Sequence, residues 1–195
     1  MGLKMSKSAP PRLRLITPPA VLPVTLAEAK EYLRVDGDHE DTGIAAMIAA
    51  AVDMLDGRNG LLGRCLEPAT WELVLDRFPA AEIRLPIGPV ASVTSLSFTD
   101  PEGGAGAVDT GNFAVDDAPG FEGWIVPAAG FSWPATMAAI NAVRVRFVAG
   151  TGTPAGVRQA ILDMVAARYD RRGEGRMLTP GVVADLAPFR RPVVA

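Results

Sequence analysis

The 195-residue sequence predicts an α+β fold: a small helical bundle drawn from both ends of the chain, an antiparallel β region inserted between them, and an extended C-terminal tail. Three observations predict it. Apolar residues recur at intervals of three and four before residue 57 and again after residue 154. Between residues 70 and 149 the period shortens to two. Prolines crowd residues 10–24 and punctuate the last 22 residues.

Taken in order, Pro10, Pro11, Pro18, Pro19 and Pro23 exclude a helix or a central strand, so residues 1–24 read as an extended arm. Thr25-Leu26-Ala27-Glu28 is a capping box, in which Thr25 caps the amide of Glu28 and Glu28 reaches back; it starts a helix over 26–35. Asp36, Gly37 and Asp38 break that helix. Asp38 or Asp41 caps a second one, over 39–57, whose Ile44, Met47, Ile48, Ala51, Val52 and Leu55 share a stripe before Gly57 or Gly60 ends it.

Trp71, Leu73 and Leu75 then alternate with Glu72, Val74 and Asp76, and Ile83 and Leu85 with Glu82 and Arg84, which is strand patterning. Pro86 and Pro89 bracket a turn before a long strand over 90–99. Asp100-Pro101-Glu102-Gly103-Gly104 is turn chemistry, and short strands follow at 113–115 and 124–126. Over 142–148, Val143, Val145 and Phe147 face one way and Arg144 and Arg146 the other. Val157, Ile161, Met164, Val165 and Tyr169 return to helical spacing over 155–172, and that helix completes the bundle only by packing back beside 25–57. The organisation expected is an arm (1–24), a main domain (25–172, with the β insertion at 70–149) and a tail (173–195).

Composition narrows the function. The single Cys65 can form no intrachain disulfide, and the longest nearly uncharged apolar run, 44–52, is far short of the roughly 20 residues of a membrane span. Neither the N-terminal segment, where prolines follow Lys4 and Lys7, nor the six-residue match to an N-myristoylation pattern at Gly2 reads as a targeting signal. A reducing cytoplasm is the expected site of synthesis and assembly. Net charge is -3, but it divides into +4 for residues 1–24, -10 for 25–170 and +3 for 171–195. So acidic a body repels a phosphate backbone, whereas the basic ends suit an acidic partner surface.

Chemistry-bearing patterns are sparse. His39, between Asp38 and Glu40, is the one histidine; acids in a first turn are accounted for by the helix dipole. A calcium loop from Asp36 fails because its twelfth position is Met47. Cys65 has Arg64 beside it but no base nearby in sequence. The run Gly103, Gly104, Gly106 lacks the lysine of a phosphate loop, and Gly150-Thr151-Gly152-Thr153-Pro154 fits neither phosphate-binding template. Trp71, Trp124 and Trp133 are too dispersed in sequence for a stacking platform. The expectation is an assembly module, not an enzyme, with no cofactor and no metal; the alternative is a small β-rich ligand-binding module.

Three blocks carry a resemblance. They are Ile16-Thr17-Pro18-Pro19 with Pro23-Val24-Thr25-Leu26-Ala27-Glu28-Ala29-Lys30 through Asp36; Trp71-Glu72-Leu73-Val74-Leu75-Asp76-Arg77-Phe78-Pro79 with Ile83-Arg84-Leu85-Pro86 and Pro89-Val90; and Val143 to Gly150 with Val157 to Leu162. In this order the chain resembles the head-tail connector (adaptor) proteins of tailed bacteriophages and phage-like gene transfer agents, over residues 15–172. The resemblance implies a homo-oligomeric ring, usually of twelve subunits, between the portal protein and the stopper or tail-tube proteins in the particle neck. DNA would pass through it without specific binding, and no membrane would be involved. A stopper or tail-completion protein is the neighbouring alternative. Beyond the blocks, physics alone suggests that Leu178, Val182, Val183, Leu186 and Phe189, with Arg190 and Arg191, dock on the portal, because an extended segment with apolar anchors needs a surface to order it.

Overall fold

The computed structural model describes residues 12–118, 120–170 and 176–191. Its elements run β1 (Arg12–Thr17), α1 (Leu26–Leu33), α2 (Asp41–Leu55), β2 (Ala69–Leu75), β3 (Ile83–Leu85), β4 (Val90–Thr99), β5 (Ala105–Ala107), β6 (Phe113–Asp116), β7 (Gly123–Pro127), β8 (Val143–Ala149), α3 (Ala155–Asp170) and α4 (Pro180–Leu186). Mixed α+β architecture, with the sheets inserted between helices, is as the periodicities require.

The capping box forms as read: Glu28 donates its backbone N–H to the Thr25 hydroxyl at 3.2 Å, and the Thr25 N–H donates to the Glu28 carboxylate at 2.8 Å. Hydrogen bonds to Thr25, the backbone one foremost, hold the Glu28 carboxyl below its ordinary pKa. Helix α1 stops where Arg34 turns left-handed, φ 58°. Helix α2 begins two residues later than its pattern suggests. Neither Asp38 nor Asp41 caps it: Glu40 is the N-cap, without a side-chain bond, and Asp41 lies in the first turn, where its charge meets the helix dipole and Lys30 at 2.5 Å.

Helix α3 returns beside α1 and α2. Ile44, Ile48, Ala51 and Leu55 of α2 meet Val157, Ala160, Ile161, Met164 and Val165 of α3 in one core. Tyr169 near the end of α3 bonds to Glu40 at the head of α2, fixing the register of the two helices.

Two antiparallel sheets form the β region: five strands in the order β1-β2-β8-β4-β5 and three in the order β3-β7-β6. Leu73, Val143, Val145, Phe147 and Leu96 from the larger sheet pack with Ile83, Leu85 and Ile125 from the smaller in a second core. The alternation expected of residues 142–148 is present in β8, where Val143, Val145 and Phe147 are buried and Arg144 and Arg146 exposed.

The described part of the arm is extended as read, and Arg12–Thr17 pairs antiparallel with β2 at the sheet's edge, where a proline-flanked segment can still sit. Two other elements differ from expectation. Strand β5, Ala-Gly-Ala, carries no hydrophobic alternation and was not foreseen. Residues 180–189 are not extended: Thr179 caps Val182 at 3.3 Å and Pro180 takes the first helical position of α4, followed by a 3₁₀ turn over Ala187–Phe189. A proline there starts a helix, since its missing N–H would be unpaired anyway.

Candidate assembly surfaces

His39 lies 4.0 Å from Glu40, with 73% of its side chain exposed, on the rim of an open groove of about 670 Å³ lined also by Gly43, Ile44, Met47, Tyr169 and Asp170. Among the described residues no group of three or more His, Cys, Asp or Glu side chains could hold a metal, and no helix is long and apolar enough to cross a membrane. Cys65 is 1% exposed, and burial pushes its thiol up to about 12, so it is no thiolate nucleophile.

The glycine run forms the β4–β5 hairpin, where Asp100 accepts the Gly104 N–H at 2.7 Å. At the Gly150–Pro154 connection the Glu67 carboxylate accepts from the N–H and hydroxyl of Thr153, at 3.2 and 2.8 Å, so an acid already occupies that helix start. The three tryptophans stay apart in function too. Trp133 stacks on Phe78 with ring centroids 5.1 Å apart, its indole N–H donating to the Ala81 carbonyl at 2.5 Å, while Trp71 packs against the β core and Trp124 pairs with Arg84 across β7 and β3.

The C-terminal segment is a strap across its own bundle. Val182 and Leu186 are buried in the helical core, with Leu178 and Phe189 packed against it. Phe189 reaches α3 at Gly156, where a Cβ would stand 2.8 Å from the ring and would push it aside. Arg191 closes the strap: its N–H donates to the Leu62 carbonyl at 2.9 Å and its guanidinium pairs with Glu122 at 2.8 Å. Val183 is half-buried and Arg190 exposed, on the side facing away from the core. The seven residues expected to dock thus lie together, with the deepest apolar ones already satisfied within the chain.

A second surface was hidden from sequence reading. On the outer face of the larger sheet, Arg14, Glu72 and Arg146 stand opposite one another across β1, β2 and β8, and Arg12, Val74 and Arg144 form the next row. Glu72 is 3% exposed and accepts from Arg146 Nε at 3.1 Å and from an Arg144 terminal nitrogen at 3.3 Å. Arg12 binds Asp76, which also accepts the Asn141 N–H at 2.9 Å; these bonds, the backbone one foremost, hold the Asp76 carboxyl low. Val74, between Arg12 and Arg144 in that row, is 1% exposed. Glu72 in an alternating strand opposite Arg144 and Arg146 is the signal that could have found this cluster, but pairing register is not written in either segment alone.

No protein-family model matches this chain, and no curated protein sequence does. Solved structures do. The fold matches that of a chain in the neck of an empty GTA particle computed with C6 symmetry, at TM-score 0.75, and of a chain in the virion of a native gene transfer agent (GTA) particle, at 0.74. It also matches a chain in the neck of a native GTA particle computed with C12 symmetry, at 0.67. In each the identity is 24%, over 94% of this chain and 97% of the other. The sequence, its helical bundle and its inserted sheets therefore fold, nearly end to end, as chains of gene transfer agent particles do.

Proposed function

We propose that the protein is a structural head-tail connector subunit, forming a ring between the portal and the stopper or tail of a phage or phage-like particle and extending the DNA exit channel. The observation that carries this reading is the fold match over 94% of the chain to chains of gene transfer agent necks, joined to the three ordered sequence blocks. The ring has twelve subunits in this reading. Its body, at -10 over residues 25–170, repels the phosphate backbone, so DNA passes without being held.

Portal contact falls to the C-terminal strap. Leu178, Val182, Leu186, Phe189 and Arg191 set its position, and Val183 and Arg190 present the side that meets the portal. Deleting the strap would uncover the helical core, so the test uses surface substitutions. Purified protein mixed with the portal protein of its own particle should give closed rings in negative-stain images, and Val183→Glu with Arg190→Glu should abolish binding while leaving the circular dichroism spectrum unchanged. Absence of any complex with the wild-type chain would refute the connector reading; binding by the doubly substituted chain would refute only the role of the strap.

A further inference from the structure

Charge is distributed across the larger sheet from one edge to the other. Residues 85–143 contain Asp100, Glu102, Asp109, Asp116, Asp117 and Glu122 and neither lysine nor arginine. That segment builds β4, β5, β6 and β7, and β5 is one open edge of the five-stranded sheet. At the other open edge is β1, with Arg12 and Arg14, and Arg144 and Arg146 stand two strands in. Arg14 is exposed and forms no ion pair among the described residues; Arg144 and Arg146 keep 48% and 54% of their side chains in solvent. Leu15 and Ile16 beside them are 48% and 42% exposed.

Four interstrand spacings of about 4.8 Å separate the two edges by roughly 19 Å. That exceeds the Debye length of about 8 Å at physiological salt, so the basic and acidic edges do not neutralise each other within one molecule. Two copies set side by side would bring them together. A head-to-tail contact of this kind uses a different patch on each partner and closes into a ring when its rotation divides a full turn.

We infer that a second copy of this chain is the occupant of the arginine-bearing β1–β2–β8 face, which meets the acidic β4–β5 edge of its neighbour, with Glu102 on the hairpin and Asp109 just beyond β5. The inference rests on the ring reading and supplies its lateral interface. Leu15 and Ile16 are exposed on the same open edge strand, and the arginines exclude pairing with other basic edges.

The test uses Arg14→Glu on one side and Glu102→Arg with Asp109→Arg on the other. These side chains are exposed, and Arg14, though opposite Glu72 in register, makes none of the Glu72 hydrogen bonds; an unchanged circular dichroism spectrum checks that the fold is kept. Native mass measurement and negative-stain imaging, with and without the portal protein, follow assembly. Each variant alone should assemble at least tenfold more weakly than wild type at physiological salt, and wild-type assembly should itself weaken as salt rises. Mixing the two variants should restore association, because each retains one native face. Both variants assembling like wild type would overturn the interface while leaving the ring reading in place. A wild-type chain that forms no ring would overturn both. Loss of binding to a duplex DNA fragment by Arg14→Glu, with assembly intact, would assign the face to phosphate instead and overturn the inference.

Discussion

Replacing Glu72 by glutamine tests the reasoning about the outer sheet face most directly. The change keeps the shape and removes one charge at a position 3% exposed. In the wild type the carboxylate accepts two charge-assisted hydrogen bonds, at 3.1 and 3.3 Å. Such bonds contribute about 1.5–3 kcal/mol each, and the half-exposed guanidiniums place these at the low end, about 3 kcal/mol together. Glutamine keeps one acceptor but turns an amide donor toward the second arginine, so the expected loss is about 2 kcal/mol. For a chain of this length that lowers the melting temperature by about 4–8 °C. Thermal and urea unfolding would measure it, and a double-mutant cycle with Arg146→Gln would isolate the coupling. Added salt should narrow the gap only slightly, since the carboxylate is shielded from solvent. A loss under about 0.5 kcal/mol, or no coupling, would refute the view that Glu72 organises the arginines.

Gly156→Ala should free the strap: its Cβ collides with Phe189 at 2.8 Å, a cost of about 1–3 kcal/mol that outweighs the gain of at most about 1 kcal/mol in helix propensity. Limited proteolysis within 176–191 should accelerate, and an unchanged cleavage rate would show that Phe189 is not seated on α3. Cys65 should resist maleimide at mildly alkaline pH until the protein unfolds. Because its folded thiol ionises at about 12 against an ordinary 9.0, the folded state holds the proton more tightly, and stability falls as pH rises through that window, by about 1.4 kcal/mol per unit. Thr25→Ala should cost about 1 kcal/mol in chemical denaturation. The Glu28 carboxyl is held below its ordinary 4.5, so its stabilisation is present above that pH and is lost as pH falls through the lower folded value, which an acid titration of stability would follow.

What could be read from the sequence was what neighbours in sequence determine. The capping box at Thr25, the stripe from Ile44 to Leu55 and the alternation from Val143 to Phe147 each lie within one or a few turns of chain, and each is found in the structure. What escaped depends on distant partners. Glu72 reads as a solvent-facing strand residue until Arg144 and Arg146, 72 and 74 residues away, are laid against it. Pro180 reads as a breaker until Thr179 is seen to cap Val182. For the candidate surfaces, the division into basic ends and acidic body was visible as a count, but its conversion into two opposed sheet edges needed the strand order β1-β2-β8-β4-β5.

The insertion of the sheets between α2 and α3 also governs how the molecule is made. About 100 residues separate Leu55 from Ala155, so at synthesis rates of about 5–20 residues per second the first helical pair waits roughly 5–20 s for the helix that covers it. During that interval Ile44, Ile48 and Leu55 have only Val24, Ala29, Leu62 and Leu66 of their core and lack Val157, Ile161 and Met164, while the sheets depend on pairings such as Glu72 with Arg146 that are themselves distant in the chain. The N-terminal helices of the nascent chain therefore stay partly uncovered at least until α3 has been made, and the strap from Met177 to Arg191, made later still, seals them.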